Sequence, residues 1–497
     1  MNKKQSLTVV PPNFKRDVIA LASGTGVGQV LTILTAPFLA RLFAPEAFGI
    51  FALVAAIVFI LTSISSFQYQ MAVMLPEQDE DAANLFAGAL GILLVFSLLL
   101  VPVLWLLGPS LADWLNAPSI AAYLWLIPLV VFFGGFGSGH QILEAWAART
   151  RRFARISFSK AAGSITTSLA KLAAGFAGFT SGGGLLAGSM AGSILAPILL
   201  GGQIWREDKH LFGKYIRPTK IWQNLWRYRK FAFYNSPAAL LSILSNQSPQ
   251  FLLAIFFSPA VVGFYAFGFQ LLQIPMNLIG TSVSQAFYPH ATAASRKKEL
   301  GSLVENTFRR LIEYSVFPSL MLMISGRELF SVVFGAQWEE AGVYTQILSP
   351  WLLFWFFSMP LHQLFNVLEE NELLFRWNIV ILITRVVSIW LGAFMDSPLL
   401  ALTFFSASGA GIYAYMGYWI NLKTGVAWQR IALMLFRNLA IFAPAGAVVL
   451  LAKFASLPAA VVVVLAIAFA GLYFLYRVKD ETMIRSLVAR AHDLFVK

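Results

Sequence analysis

The stretch Lys160-Ala-Ala-Gly-Ser-Ile-Thr-Thr-Ser-Leu-Ala-Lys171 opens and closes with a cation inside a run otherwise apolar enough to lie in a membrane. At about 100° per residue, the step from Lys160 to Lys171 is three turns plus roughly 20°, so the two lysines point the same way. Ser164, Thr167 and Ser168 fall on that face, and Ala, Ile and Leu on the other. The result is a polar stripe ~16 Å long on a hydrophobic helix. Acyl chains solvate such a stripe poorly, whereas a watery cavity inside a helix bundle suits it.

The rest of the chain supplies the bundle. Hydrophobic residues make up 58% of the 497 positions and charged residues 12%, where a soluble domain carries about 25% charged residues. Long apolar runs recur throughout, which predicts an all-α polytopic membrane protein of about fourteen transmembrane helices rather than a β-barrel. With no cysteine, disulfides, thiolate nucleophiles and cysteine-ligated metals are excluded. The five histidines show no ligand spacing, so neither metal nor cofactor is expected.

The net charge of +13 does not point to nucleic acid, because the cations lie mostly between the apolar runs, as topology signals and contacts for anionic lipid headgroups. Placing both termini in the cytoplasm puts about thirty Lys and Arg inside and only Arg41 in the outer loops. The acidic inner loop Pro76-Glu-Gln-Asp-Glu-Asp81 runs against this pattern.

The expected organisation is a disordered cytoplasmic arm (1–16), an N-lobe of six spans (17–205), a basic cytoplasmic linker (206–228), a C-lobe of six spans (229–421), two further spans (422–477) and an amphipathic cytoplasmic tail (478–497). Within this scheme 47–75, 119–143 and 343–367 each read as one span, and Ile221-Trp222-Gln-Asn-Leu225-Trp226 as an interfacial helix. An internal repeat supports two parallel lobes. Ala40, Phe43, Pro45, Gly49, Phe51 and Ala52 recur 214 residues later as Ala254, Phe257, Pro259, Gly263, Tyr265 and Ala266. Proline starts the helix, glycine permits close approach and the aromatic sits at the interface.

Further polar residues keep helical register: Gln29 on the first span, Gln70 on the second, Asn235 and Asn246 on the seventh, and Gln270, Gln273 and Asn277 on the eighth. They are read as lining a wet lumen, with interhelical hydrogen bonding as the plainer alternative. Lys160, Lys171 and Arg385 are the candidate substrate-binding cations. Lys160 could instead snorkel to the inner interface, and Arg385 could pair with a carboxylate. A cavity of net positive charge in low dielectric attracts a phosphate or pyrophosphate. Gly24, Gly26 and Gly28 lie inside a span with no preceding strand. Gly24 with Gly28, Gly135 with Gly139, and Gly184, Gly188 and Gly192 read as helix-packing seams rather than a nucleotide loop. His140 and Glu144 could handle a proton, but a satisfied interfacial histidine is the plainer reading.

The run Phe38-Leu-Ala-Arg-Leu-Phe-Ala-Pro-Glu-Ala-Phe-Gly49 resembles the first outer turn of the polysaccharide-repeat flippases of the multidrug/oligosaccharidyl-lipid/polysaccharide exporter superfamily. Gly263-Phe-Tyr265 through Gln273-Ile-Pro275, then Gln285-Ala-Phe-Tyr-Pro289, is similar to their eighth span. The resemblance implies a bacterial inner-membrane protein that flips an undecaprenyl-pyrophosphate-linked oligosaccharide for O-antigen, lipopolysaccharide or exopolysaccharide assembly. It also implies a cationic cavity, coupling to an ion gradient, no catalysis, and a polymerase and chain-length regulator as pathway partners. A drug/cation antiporter of the same superfamily and a membrane glycosyltransferase or polymerase are the competing readings.

Overall fold

A computed structural model describes residues 14–480 apart from 135–137, 277–279, 281–282, 285–286, 288–289, 293, 296–298 and 369. The expectations for the first thirteen residues, for nearly all of the tail and for Asn277 lie outside the described residues. The described chain is helical and falls into two compact units, Met1–Gly263 and Phe264–Lys497.

In the first unit α1 (Phe14–Leu42) turns into α2 (Pro45–Ser65). Pro45 occupies the first helical position and Glu46 the first turn, where a fixed φ and a negative charge both favour a helix start. The 47–75 stretch is not one helix. It breaks at Phe67 and Gln68, both at positive φ (48° and 58°). Side chains meet the carbonyls this break releases: Ser138 Oγ donates to Thr62 O (2.9 Å) and Gln68 Nε2 to Ser63 O (2.8 Å).

α3 (Asp79–Trp114) begins with Asp79, Glu80 and Asp81 in its first turn. The acidic loop therefore has local work. Its carboxylates sit at the positive end of a helix dipole, Asp79 pairs with Arg149 at 3.0 Å, and Asp81 accepts from Asn224. The expected 119–143 span is also in pieces, a 3-10 turn at Pro118–Ile120 and short helices Ala121–Leu124 and Ile127–Phe133. α4 (Ser138–Arg149) follows.

α5 (Phe153–Phe176), which carries the opening stretch, is held by its neighbours through glycine contacts. A β-carbon on Gly28 of α1 would lie 2.7 Å from Ser164 Oγ, and one on Gly188 of α6 (Gly182–Tyr215) 2.6 Å from the Lys171 backbone nitrogen. A β-carbon on Gly192 would meet Thr167 N at 2.8 Å. α7 (Pro218–Arg227) is the amphipathic linker helix. Ile221 and Leu225 pack on Gly88 of α3, while Trp222 and Trp226 stack on one another and stay exposed. α8 (Ser236–Phe256) leads into α9 (Pro259–Pro275), inside which the unit boundary falls.

In the second unit α10 (Leu300–Phe334) crosses α11 (Glu339–Ser358) where Gly326 and Gly342 meet. The expected span 343–367 ends at Ser358 and gives way to a 3-10 turn, Pro360–His362, and a short helix, Gln363–Val367. α12 (Asn371–Phe394) and α13 (Pro398–Thr424) form a hairpin whose Ser397 Oγ caps α13 by accepting from Leu400 N (3.3 Å). α14 (Trp428–Phe454) and α15 (Ala459–Asp480) pack against α10. With Phe317 and Met321 of α10 they build a core through Val449, Val462 and Tyr473.

Among the described residues eight helices are long and apolar enough to cross a membrane, nine if the bent Pro118–Arg149 segment counts as one span, and Gly26–Leu42, Pro259–Ile274 and Ala459–Tyr473 are shorter apolar helices. The protein is an all-α polytopic membrane protein. α5 is not one of the eight, because its polar stripe lowers its hydropathy.

Candidate functional site

The three candidate cations divide between the units, and each has its own surroundings. Lys160, two turns into α5, reaches across to α4. Its Nζ lies 2.9 Å from Glu144 Oε1. The same oxygen is 2.8 Å from His140 Nε2, one turn earlier on α4. His140 is buried, Glu144 and Lys160 partly so. Lys160 is thus a paired cation at a His–Glu–Lys junction, and its charge is already met by a carboxylate.

Lys171, three turns further along α5, is different. Its Nζ lies 4.4 Å from the centre of the Phe51 ring of α2, and its backbone abuts Gly188 of α6. No carboxylate among the described residues stands within ion-pair distance. A cation–π contact stabilises an ammonium by about 0.5–2 kcal/mol and leaves its charge uncancelled.

Between the two lysines the stripe does not face one open space. Ser164 and Thr167 fill the glycine seams with α1 and α6, and Ser168 is buried. These hydroxyls stand where helices pack.

In the second unit Arg385 of α12 is 9% exposed. Its guanidinium carbon lies 6.0 Å from the Trp351 ring and 5.9 Å from the Phe405 ring. Those rings belong to a larger aromatic set. Trp351 and Trp355 stack at 5.4 Å, and Phe269 stacks on both. A delocalised guanidinium is attracted to the faces of aromatic rings.

The remaining polar candidates separate by environment. Asn235, Asn246 and Gln270 are exposed and Gln273 is half-buried. Gln29 turns a buried, unpartnered Oε1 inward. Gln70 is buried beyond the break in the second span, where it accepts from Ser66 Oγ (2.5 Å) and donates to Gln68 and Gln141. It belongs to the network that stabilises the break.

A sequence profile of the family described as polysaccharide biosynthesis protein matches residues 38–343. The chain belongs to that family. No curated protein sequence matches it. Among solved structures, this member of the polysaccharide biosynthesis family is similar to the lipid II flippase MurJ in an inward closed conformation. That match has a TM-score of 0.70 at 10% identity and covers 93% of this chain and 99% of that one. A multidrug-resistance MATE transporter of the MOP superfamily, inward-facing, matches with a TM-score of 0.57 at 15% identity over 82% of this chain and 98% of that one. The MATE transporter VcmN of Vibrio cholerae, in a mutant form, matches at 0.51 and 14% identity over 82% and 95%. The family member therefore has the fold of the flippases and transporters of the multidrug/oligosaccharidyl-lipid/polysaccharide exporter superfamily.

Several partners of these residues escaped the sequence reading. His140 and Glu144 are visible as an i, i+4 pair, but the link to Lys160 depends on how α4 and α5 cross. Phe51 stands out in the sequence only as the aromatic of the repeat, and Trp351 and Phe405 gave no signal, since aromatics are common in this chain. A second junction lies where Trp146 Nε1 (2.8 Å) and Arg152 Nη1 (2.6 Å) both donate to Asp208 Oδ2. Asp208 lies in the charged turns that end α6, beyond its apolar stretch. Burial opposes ionisation there, but the hydrogen bonds from Arg152 and Trp146 and the Arg152 charge outweigh it and hold the carboxyl below its usual range.

Proposed function

We propose that this protein flips an undecaprenyl-pyrophosphate-linked oligosaccharide across the bacterial inner membrane, from the cytoplasmic to the periplasmic leaflet, by alternating access coupled to an ion gradient. Both termini lie in the cytoplasm, as the distribution of Lys and Arg supports. The observation that carries this reading is Lys171, an ammonium on a membrane-embedded helix with an aromatic ring and no carboxylate beside it. Such a charge suits a substrate that brings its own anion. Arg385 supplies a second cation in aromatic surroundings, and the exposed amides Asn235, Asn246 and Gln270 offer hydrogen bonds to sugar hydroxyls. A diphosphate headgroup meets the charge, and the polyprenyl tail needs only lipid. Glycans of O-antigen or exopolysaccharide type are the expected cargo, and a polymerase and chain-length regulator the expected pathway partners.

The test is complementation of a strain that lacks its own flippase. Lys171→Ala and Arg385→Ala should each abolish glycan export while the protein remains in the membrane; full export by both would sink the assignment. The MATE-like fold favours a second reading, a drug/cation antiporter. Resistance to cationic dyes on overexpression, with glycan export unaffected by loss of the gene, would decide for it.

A further inference from the structure

α7 has two unlike sides, and one is fastened to the first unit. The buried Asn224 donates from Nδ2 to Asp81 Oδ1 (3.0 Å), and Tyr69 Oη donates to Leu225 O (2.9 Å). Ile221 and Leu225 pack on Gly88 of α3. The chain entering the helix is tied as well, Arg217 N donating to Asn84 Oδ1 (2.9 Å) and Asn84 Nδ2 to Tyr215 O (2.8 Å). A helix held in this way presents its other side in a fixed register.

That other side carries indoles and cations. Trp222 and Trp226 are 68% and 56% exposed. Lys214, Arg217, Arg227, Arg229 and Lys230, on the helix or just beyond its ends, are exposed too. Among the described residues none of these cations pairs with a carboxylate. Three lie against rings instead. Lys214 Nζ is 5.1 Å from the centre of the Tyr215 ring, and the guanidinium carbons of Arg227 and Arg229 are 5.5 Å from Tyr228 and 4.6 Å from Trp226. A cation–π contact leaves the charge uncancelled. The sequence explains the lack of partners, since neither Asp nor Glu occurs from Lys209 to Lys298. In the first turn of α3, against which α7 packs, Asp79 is engaged by Arg149 and Asp81 by Asn224.

The two helices that α7 joins, Gly182–Tyr215 and Phe231–Phe256, are both long and apolar enough to cross a membrane. A bilayer surface is therefore the partner at hand, and indoles among cations suit the boundary between acyl chains and headgroups. We propose that the outer side of α7 binds phospholipid of net negative charge. Trp222 and Trp226 enter the edge of the acyl region, and Arg217, Arg227, Arg229 and Lys230 hold the headgroup phosphates. A choline headgroup offers the same phosphate but brings a cation of its own, which would lie among like charges. Selection therefore falls on net charge and not on phosphate alone. Beyond lying at an interface, α7 chooses the lipid beside it, and this choice is independent of the nature of the transported substrate.

The chain has no cysteine, so Gln223→Cys on the exposed side of α7 takes a single fluorophore. The labelled full chain is reconstituted in phosphatidylcholine vesicles holding a small fraction of nitroxide-bearing lipid, either phosphatidylglycerol or phosphatidylcholine with the same acyl chains. Quenching of the label gives the relative affinity of the two lipids for the surface of α7. Phosphatidylglycerol should be favoured about fivefold. Salt at about 1 M, where the Debye length is about 3 Å, should bring the two lipids near parity. Arg217→Gln, Arg227→Gln, Arg229→Gln and Lys230→Gln together should do the same, whereas Arg310→Gln with Arg437→Gln, in the second unit, should leave the preference intact. Equal quenching by the two lipids would overturn the proposal, as would a preference that survives both salt and the four substitutions, or one that is lost with Arg310 and Arg437. Shielding of the label by a single-stranded oligonucleotide, with no preference between the lipids, would overturn it in favour of nucleic acid. The comparison of lipids on the labelled chain keeps every cation and does not depend on the fourfold variant folding.

Discussion

Gly49 and Gly263, 214 residues apart, are reciprocal partners in the first unit. A β-carbon on Gly49 would lie 3.1 Å from the Gly263 nitrogen and collide with the Pro259 carbonyl; one on Gly263 would lie 3.0 Å from the Gly49 nitrogen and collide with the Pro45 carbonyl. The two copies of the Pro-x-x-x-Gly motif thus pack against each other. Each proline sets a helix start, and each glycine removes the atom that would hold the two starts apart.

Gly49→Ala and Gly263→Ala should each destabilise the protein by about 1–3 kcal/mol, because a methyl group cannot fit against backbone that has no side chain to swing aside. Both push on one crossing, so the double variant should cost clearly less than the two single costs combined. Thermal unfolding in detergent reads this. Additive costs would show that the two contacts are independent.

Glu144→Gln removes the carboxylate shared by His140 and Lys160 and strands a partly buried ammonium. Lys160→Met should cost only about 1 kcal/mol, since Lys160 is still open to solvent on one side, and adding it to Glu144→Gln should restore part of the loss. A double-mutant cycle on melting temperature measures the coupling. No recovery would mean that the junction stabilises through His140 alone.

Asp208 predicts an acid limit. Its carboxyl ionises more readily folded than unfolded, so its contribution to stability is complete above the unfolded value of about 3.9 and lost as pH falls through the lower folded value. Asp208→Asn should therefore lower the melting temperature at neutral pH and flatten its decline below about pH 4. A variant with the unmodified acid slope would assign that slope to other carboxylates.

Phe317 lies 4.7 Å from Phe442 and 5.0 Å from Tyr473, centroid to centroid. Phe317→Ala should cost about 3 kcal/mol, and removing α15 should destabilise the second unit even though that helix follows every candidate cation in the sequence. Limited proteolysis of α10 in the shortened chain checks this; unchanged resistance would make α15 dispensable.

Much of this was legible beforehand. The apolar runs gave the class, Pro45 and Pro259 the helix starts, and Gly188 and Gly192 the seam along α5. The failures have a common cause. The span 47–75 looks continuous because its break is met partly from another segment, by the Ser138 hydroxyl on the Thr62 carbonyl. The acidic loop looked like a topological exception because Arg149 and Asn224 are distant in sequence. For the stripe on α5, a helical wheel shows direction but not the neighbour met there. Glu144, Gly28 and Gly192 meet Lys160, Ser164 and Thr167 in turn, which leaves Lys171 as the lysine with its charge unspent.

The modest hydropathy of α5 bears on how the protein is made. A helix too polar to partition into lipid unaided must wait at the translocon until a companion arrives. α6 follows within a few residues and carries the glycine groove that fits it. Entry into the bilayer is then a property of the pair, and a bulky residue at Gly188 or Gly192 would be felt first as a defect of biogenesis, before any folded protein existed to be assayed.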